Sequence, residues 1–139
     1  MNQIKFRGRS INGSWCHGDL MILKNPKEQN VNGWKPGSYI SNGYGGCAAY
    51  SVRPETVGQY ADVTDKDGKP LDWWEGDILG IEGEALYEII KNKGCFWAKG
   101  IRRMEGHTSL LCNFVDDILV VIGNRYENPE LLEAKDESD

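Results

Sequence analysis

Glycine-centred turn signals set between short apolar segments constrain this chain more than any other feature. Asn12-Gly13, Asp67-Gly68 and Asn92-Lys93-Gly94 each stand where one apolar or alternating stretch ends and another begins, the arrangement of a β-hairpin. No stretch keeps a 3.6-residue apolar period beyond about three turns, and no internal repeat is visible. Ile4 and Phe6 alternate with Lys5 and Arg7 as in a half-buried strand, and Asn12-Gly13 readily takes the two positive φ angles of a type I′ turn. Gly18-Asp19 is expected to interrupt the next strand before Leu20 to Leu23 resume the apolar run. Residues 25–46, polar and rich in Gly, Asn and Pro, read as a long loop or an ornamented hairpin.

Further along, Pro54 to Tyr60 reads as a turn leading into a strand, and Asp65-Lys66-Asp67-Gly68-Lys69 as a tight polar turn. Glu75-Gly76-Asp77 makes a strand entry, because Gly76 is free to take φ > 0 and the Asp77 carboxylate to accept backbone N–H bonds. Asp117 to Gly123 is strongly β-branched and predicts a central strand. Asn128-Pro129 starts a short helical turn with Asn128 as its cap, and Glu133 to Asp139 reads as a frayed acidic tail. The whole is mostly β, antiparallel hairpins folded into a small barrel or sandwich.

The chain's 139 residues suit one domain, and its charge narrows what it can bind. Lys and Arg number 16 against 21 Asp and Glu, a net charge of −5 that opposes whole-surface binding of nucleic acid or anionic lipid. No apolar run approaches the roughly 18 residues of a membrane helix, so no membrane partner is expected. MNQIKFRGR carries no apolar core behind its charges, so a cytoplasmic protein with reduced thiols is expected. Cys16, Cys47, Cys95 and Cys112 form no CxxC pair; neither a metal site nor a cofactor is expected, and most of the thiols should pack as small apolar side chains. Cys16 and His17, as strand neighbours, point to opposite faces and cannot share an ion.

Catalytic constellations are equally thin. Gly43-Tyr44-Gly45-Gly46-Cys47 lacks the Lys-Ser/Thr ending of a phosphate loop, and Cys47 beside it is a candidate exposed thiol. Asp65-Lys66-Asp67-Gly68 carries glycine too early for a calcium loop. Glu75 and Asp77 are paired acids, but a strand-entry turn offers no cleft to set their environments apart. Two histidines, His17 and His107, leave little material for a nucleophile–base pair. The chain is therefore expected not to be an enzyme. Arg102-Arg103 with His107 is a candidate local patch for anions or nucleic acid.

Ile4-Lys5-Phe6-Arg7-Gly8-Arg9 followed by Asn12-Gly13-Ser14-Trp15 resembles the opening of the YopX-like proteins of phages and prophages. The likeness continues through Pro54-Glu55-Thr56-Val57-Gly58-Gln59-Tyr60 and Asp65-Lys66-Asp67-Gly68-Lys69 to Glu75-Gly76-Asp77-Ile78. It closes on Ile122-Gly123-Asn124-Arg125-Tyr126-Glu127-Asn128-Pro129-Glu130-Leu131-Leu132, with the blocks in the family's order. Ala61-Asp62-Val63 departs from the family's usual threonine-glycine-leucine, and residues 43–46 follow no family pattern. The resemblance implies a phage or prophage origin, a bacterial cytoplasm and an SH3-like barrel over about Tyr60 to Tyr126. It implies no reaction.

With that resemblance the chain divides into residues 1–59, an N-terminal hairpin and long loop; 60–132, an SH3-like barrel ending in a short helical turn; and 133–139, the tail. Trp74 takes the family's aromatic place before the Glu-Gly-Asp turn and is assigned to the core. Its neighbour Trp73 is then either exposed at a partner interface or packed under the loop of residues 25–46. Gly76→Val is accordingly expected to destabilise more than Trp73→Ala. The favoured function is a non-enzymatic accessory protein that binds a protein partner or assembles with itself. The alternative is a small nucleic-acid-binding module acting through Arg102 and Arg103, with binding that collapses in salt.

Overall fold

The structure, a computed structural model, describes residues 4–25, 34–41, 49–80, 85–103, 106–113 and 119–132. The chain forms two compact units, Met1–Tyr60 and Ala61–Asp139. Each carries one five-stranded antiparallel sheet and, among the described residues, no α-helix. The fold is mostly β. Neither sheet closes into a barrel among the described strands, so the SH3-like closure drawn from the resemblance is not displayed.

In the first unit the strands are β1 (Phe6–Arg9), β2 (Trp15–Leu23), β3 (Gly37–Ser41), β4 (Ala49–Val52) and β5 (Gly58–Gln59), in the order β4-β3-β2-β1-β5. β2 runs straight through Gly18-Asp19, which were expected to break it; the ladder to β1 on one side and β3 on the other holds the strand together. β3 falls inside the polar stretch 25–46, which is therefore a hairpin rather than a plain loop. The end of β1 reaches β4: Ser10 bridges Val52, and the Arg53 N–H donates to the Arg9 carbonyl at 2.8 Å. That approach needs Gly8, where a Cβ would lie 3.0 Å from Val52. Leu23, Ile40, Val52 and Tyr60 are buried here.

The second unit begins with a hairpin closed by the Asp65–Lys69 turn, with Ala61 N–H bonded to the Trp73 carbonyl at 2.9 Å. Its sheet contains β6 (Asp77–Gly80), β7 (Leu86–Asn92), β8 (Cys95–Arg102), β9 (Thr108–Leu110) and β10 (Val120–Asn124), in the order β10-β6-β7-β8-β9. Leu79, Tyr87, Ile89 and Ala98 alternate along β6 to β8 and meet Ala61, Trp73, Leu111 and Leu119 in one core cluster. The β-branched run expected at the centre is instead the edge strand β10. Strand propensity reports how well a segment fits a pleated surface, not how many neighbours it pairs with.

Loop length decides the turn types. Asn12-Gly13 does not form a two-residue I′ turn; the loop is Ile11-Asn12-Gly13, with Ser10 N–H donating to the Ser14 carbonyl at 2.8 Å and only Gly13, at φ +92°, in the left-handed region. Asp65 to Lys69 repeats that geometry, closed by the Asp65 N–H to Lys69 carbonyl bond at 2.8 Å with Gly68 at φ +83°. Such three-residue loops are a type I turn followed by one left-handed residue. The two-residue turn with both φ positive occurs at Lys93-Gly94, between paired Asn92 and Cys95.

Candidate functional site

Two sequence blocks far apart in the chain meet at the β6–β10 edge. The Glu75-Gly76-Asp77 turn feeds β6, and register pairs Asp77 with Asn124 at the end of β10. Asp77 is buried, its Oδ2 accepting the Trp74 N–H at 2.9 Å while its own N–H donates to the Trp74 carbonyl at 3.0 Å. Gly76, at φ +94°, donates its N–H to the Ile89 carbonyl at 2.8 Å, and a Cβ there would lie 3.0 Å from Cε2 of Tyr126. Asp77 thus works as an internal cap of the turn.

The far side of the edge is tied by asparagines. The Asn124 Oδ1 accepts the N–H groups of Tyr126 and Glu127 at 3.0 and 2.9 Å, and its amide donates to Glu127 at 2.7 Å. The Asn128 Oδ1 accepts the Asn124 N–H at 3.2 Å, reaching back to β10, while its carbonyl accepts the Leu131 N–H at 3.0 Å from the expected cap position ahead of the 3-10 turn Pro129–Leu132. A Cβ on Gly123 would collide with the Asn128 amide. These bonds hold the end of β10 in one geometry.

Beside this knot a shallow cleft of about 180 Å³ is lined by Glu75, Gly76, Glu88, Lys91, Arg125 and Tyr126, among others. Glu88, only 5% exposed, pairs with half-exposed Arg125 at 2.9 Å. Burial pushes the Glu88 carboxyl up, against the opposing pull of Arg125 and Lys99, with Glu75 adding to the rise. The ion pair alone would lower it; burial wins. A carboxyl raised in the fold binds its proton more tightly there than in the unfolded chain, so stability falls as pH rises from the ordinary carboxylate range through the raised value. Glu88→Gln stays neutral and keeps an oxygen for Arg125. Its melting temperature is expected to equal or exceed the wild type's at pH 8, with the gap closing as pH falls; a wild-type advantage that grows with pH would contradict burial as the dominant cause.

The binding candidates read from sequence are not brought together. Trp73, the candidate for exposure, is instead 5% exposed inside the core cluster with Ala61 and Leu79. The alternation argument required one wet face, but Trp73 and Trp74 are both buried. Arg102 is half-buried with its Nε buried and without a hydrogen-bond partner, and Arg103, at φ +66°, is exposed as β8 leaves for β9. Arg7 and Arg9 lie over the Trp15 ring at 4.5 and 5.8 Å. Cys95 and Cys112 are exposed and Cys16 half-buried, correcting the expectation of mostly packed thiols, while Cys47 lies outside the described residues. Burial pushes the Cys16 thiol up. Among the described residues no three His, Cys, Asp or Glu side chains lie together as a metal site, and no helix is long and apolar enough to cross a membrane.

What sequence reading missed is not the strand β10 but its place at the edge of the sheet. Val120, Val121 and Ile122 are 54%, 40% and 44% exposed, three successive large apolar side chains on a sheet edge. The register skips Ile122, a bulge that leaves it with no partner on β6; its side chain leans over Gly80 instead. A β-branched run reads as core in sequence, and only its place in the sheet reveals that it is wet.

Among curated proteins none matches the chain. The family model described as YopX protein matches residues 5–133 and so spans both knotted blocks and the edge strand between them. The chain belongs to the YopX protein family.

Proposed function

We propose that this protein is a non-enzymatic binding module that takes up another polypeptide strand along the outer edge of β10. The observation that carries this reading is the exposure of Val120, Val121 and Ile122 on an edge strand. An unpaired edge offers a row of N–H and C=O groups to an added strand, and large apolar side chains flanking it supply the burial that makes the addition favourable. Soluble proteins commonly blunt such edges with charge, proline or a bulge; β10, Val-Val-Ile-Gly-Asn, carries neither charge nor proline, only the bulge at Ile122. The other edges are poorer docking strips: β5 has two residues and β9 three, with Thr108 and Ser109 exposed, while β4 presents Tyr50 beside exposed Ser51. The asparagine knot takes both backbone groups of Asn124, whose N–H donates to the Asn128 Oδ1 and whose carbonyl accepts the Asn128 N–H, so the strip open to an added strand is residues 120–123.

The test is Val120→Lys. Val120 is 54% exposed, so the melting temperature should change by no more than corresponds to about 0.5 kcal/mol. Tagged wild-type and variant proteins are compared for chains retained from host lysate after nuclease treatment. A protein held by the wild type and released by the variant supports the reading. Equal retention by a folded variant refutes it.

A further inference from the structure

The Glu88–Arg125 pair is uneven. Glu88 is 5% exposed, while the Arg125 side chain is 47% exposed and lines the cleft beside it. A guanidinium offers five donors in a planar fork that fits a carboxylate, yet Glu88 Oε2 meets one nitrogen of it, Nη1, at 2.9 Å. The main chain beneath is fixed, since the Arg125 N–H donates to the Gly76 carbonyl at 2.9 Å. We infer that this cleft binds a small monocarboxylate, which takes the place of Glu88 as the partner of Arg125 while Glu88 picks up a proton from solvent.

Charge and size select that ligand. Arg125 and Lys91 put positive charge on the lining, and Glu75 in the same lining opposes an anion of more than one charge. About 180 Å³ is the space of about six liquid waters, enough for a few heavy atoms and too little for a peptide or a nucleotide. The exchange of partners moves a negative charge from a buried position to a half-exposed one, where less hydration is lost. Burial pushes the Glu88 carboxyl up, Arg125 and Lys99 pull it down, and Glu75 adds to the rise. A ligand that engages Arg125 weakens the first of those opposing pulls. Lys91 and Tyr126 complete the charged and titratable groups of the lining. By linkage, a proton on Glu88 strengthens ligand binding by the same factor as the ligand strengthens the hold on the proton.

The full chain is titrated with sodium acetate and followed by amide NMR from about pH 5 to about pH 8, against sodium chloride at matched ionic strength. Acetate should shift the Gly76, Arg125 and Tyr126 amides saturably, with a dissociation constant of roughly millimolar order for so few heavy atoms. Its affinity should fall by up to about tenfold per pH unit above the raised Glu88 value, the slope of one proton. Glu88→Gln, neutral throughout, should bind acetate with one affinity across the range, no weaker than the wild type at its lowest pH. Inorganic phosphate should bind more weakly than acetate at the upper end of the range. Shifts no larger than those from chloride, or an affinity for acetate that is flat with pH in the wild type, overturn the inference without any variant having to fold. Phosphate binding more tightly than acetate overturns it as well, since the cleft would then accept a multiply charged anion.

Discussion

Gly76→Val is expected to destabilise the protein by about 3 kcal/mol, combining a β-branched residue at positive φ with overpacking, each of order 1–3 kcal/mol. The backbone sits at φ +94° and cannot swing away, because the Gly76 N–H is bonded to Ile89 and its carbonyl accepts the Arg125 N–H at 2.9 Å. The new Cβ also meets the Tyr126 ring. At roughly 4 °C per kcal/mol the melting temperature should fall by about 10 °C. Gly76→Ala should lose less, having no branch to accommodate. In a double-mutant cycle, Tyr126→Ala should relieve part of the Gly76→Val penalty but not the part that belongs to φ. A melting curve within about 2 °C of wild type would mean that the turn relaxes freely.

Trp73→Ala is expected to be comparably damaging, at about 3–5 kcal/mol, because it empties a large site in the core cluster beside Ala61, Leu79 and Tyr87. The ranking drawn from sequence put Gly76→Val as the worse of the two because a branched residue does not readily take φ > 0; the burial of Trp73 makes the two comparable. Trp73→Phe should recover much of the loss by refilling the site with apolar volume. Denaturant unfolding followed by circular dichroism separates the outcomes: a loss of stability below about 1 kcal/mol for Trp73→Ala would place the indole outside the folding core.

Hairpin positions were legible in the sequence because glycine turns are local: Gly13, Gly68, Gly76 and Gly94 all occupy the left-handed region. The exact turn types were not, since they follow from how many residues separate the last paired positions, which is a property of the register. The Asp77 cap was legible for the same local reason, its bonds closing within three residues onto Trp74. The Arg125–Glu88 pair was not; its partners stand 37 residues apart and meet only because β10 lies against β6 and β6 against β7.

The amino-acid order by itself determined the class: short strands, tight turns and no helical period. Each of these depends on interactions a few residues long. The tertiary structure decided which apolar segments are core and which are surface. Trp73 and the Val120–Ile122 run are both apolar stretches of strand-forming residues, yet one is enclosed in the core cluster and the other is left at a sheet edge. Burial is set by what covers a residue, and strand order, not local preference, does the covering.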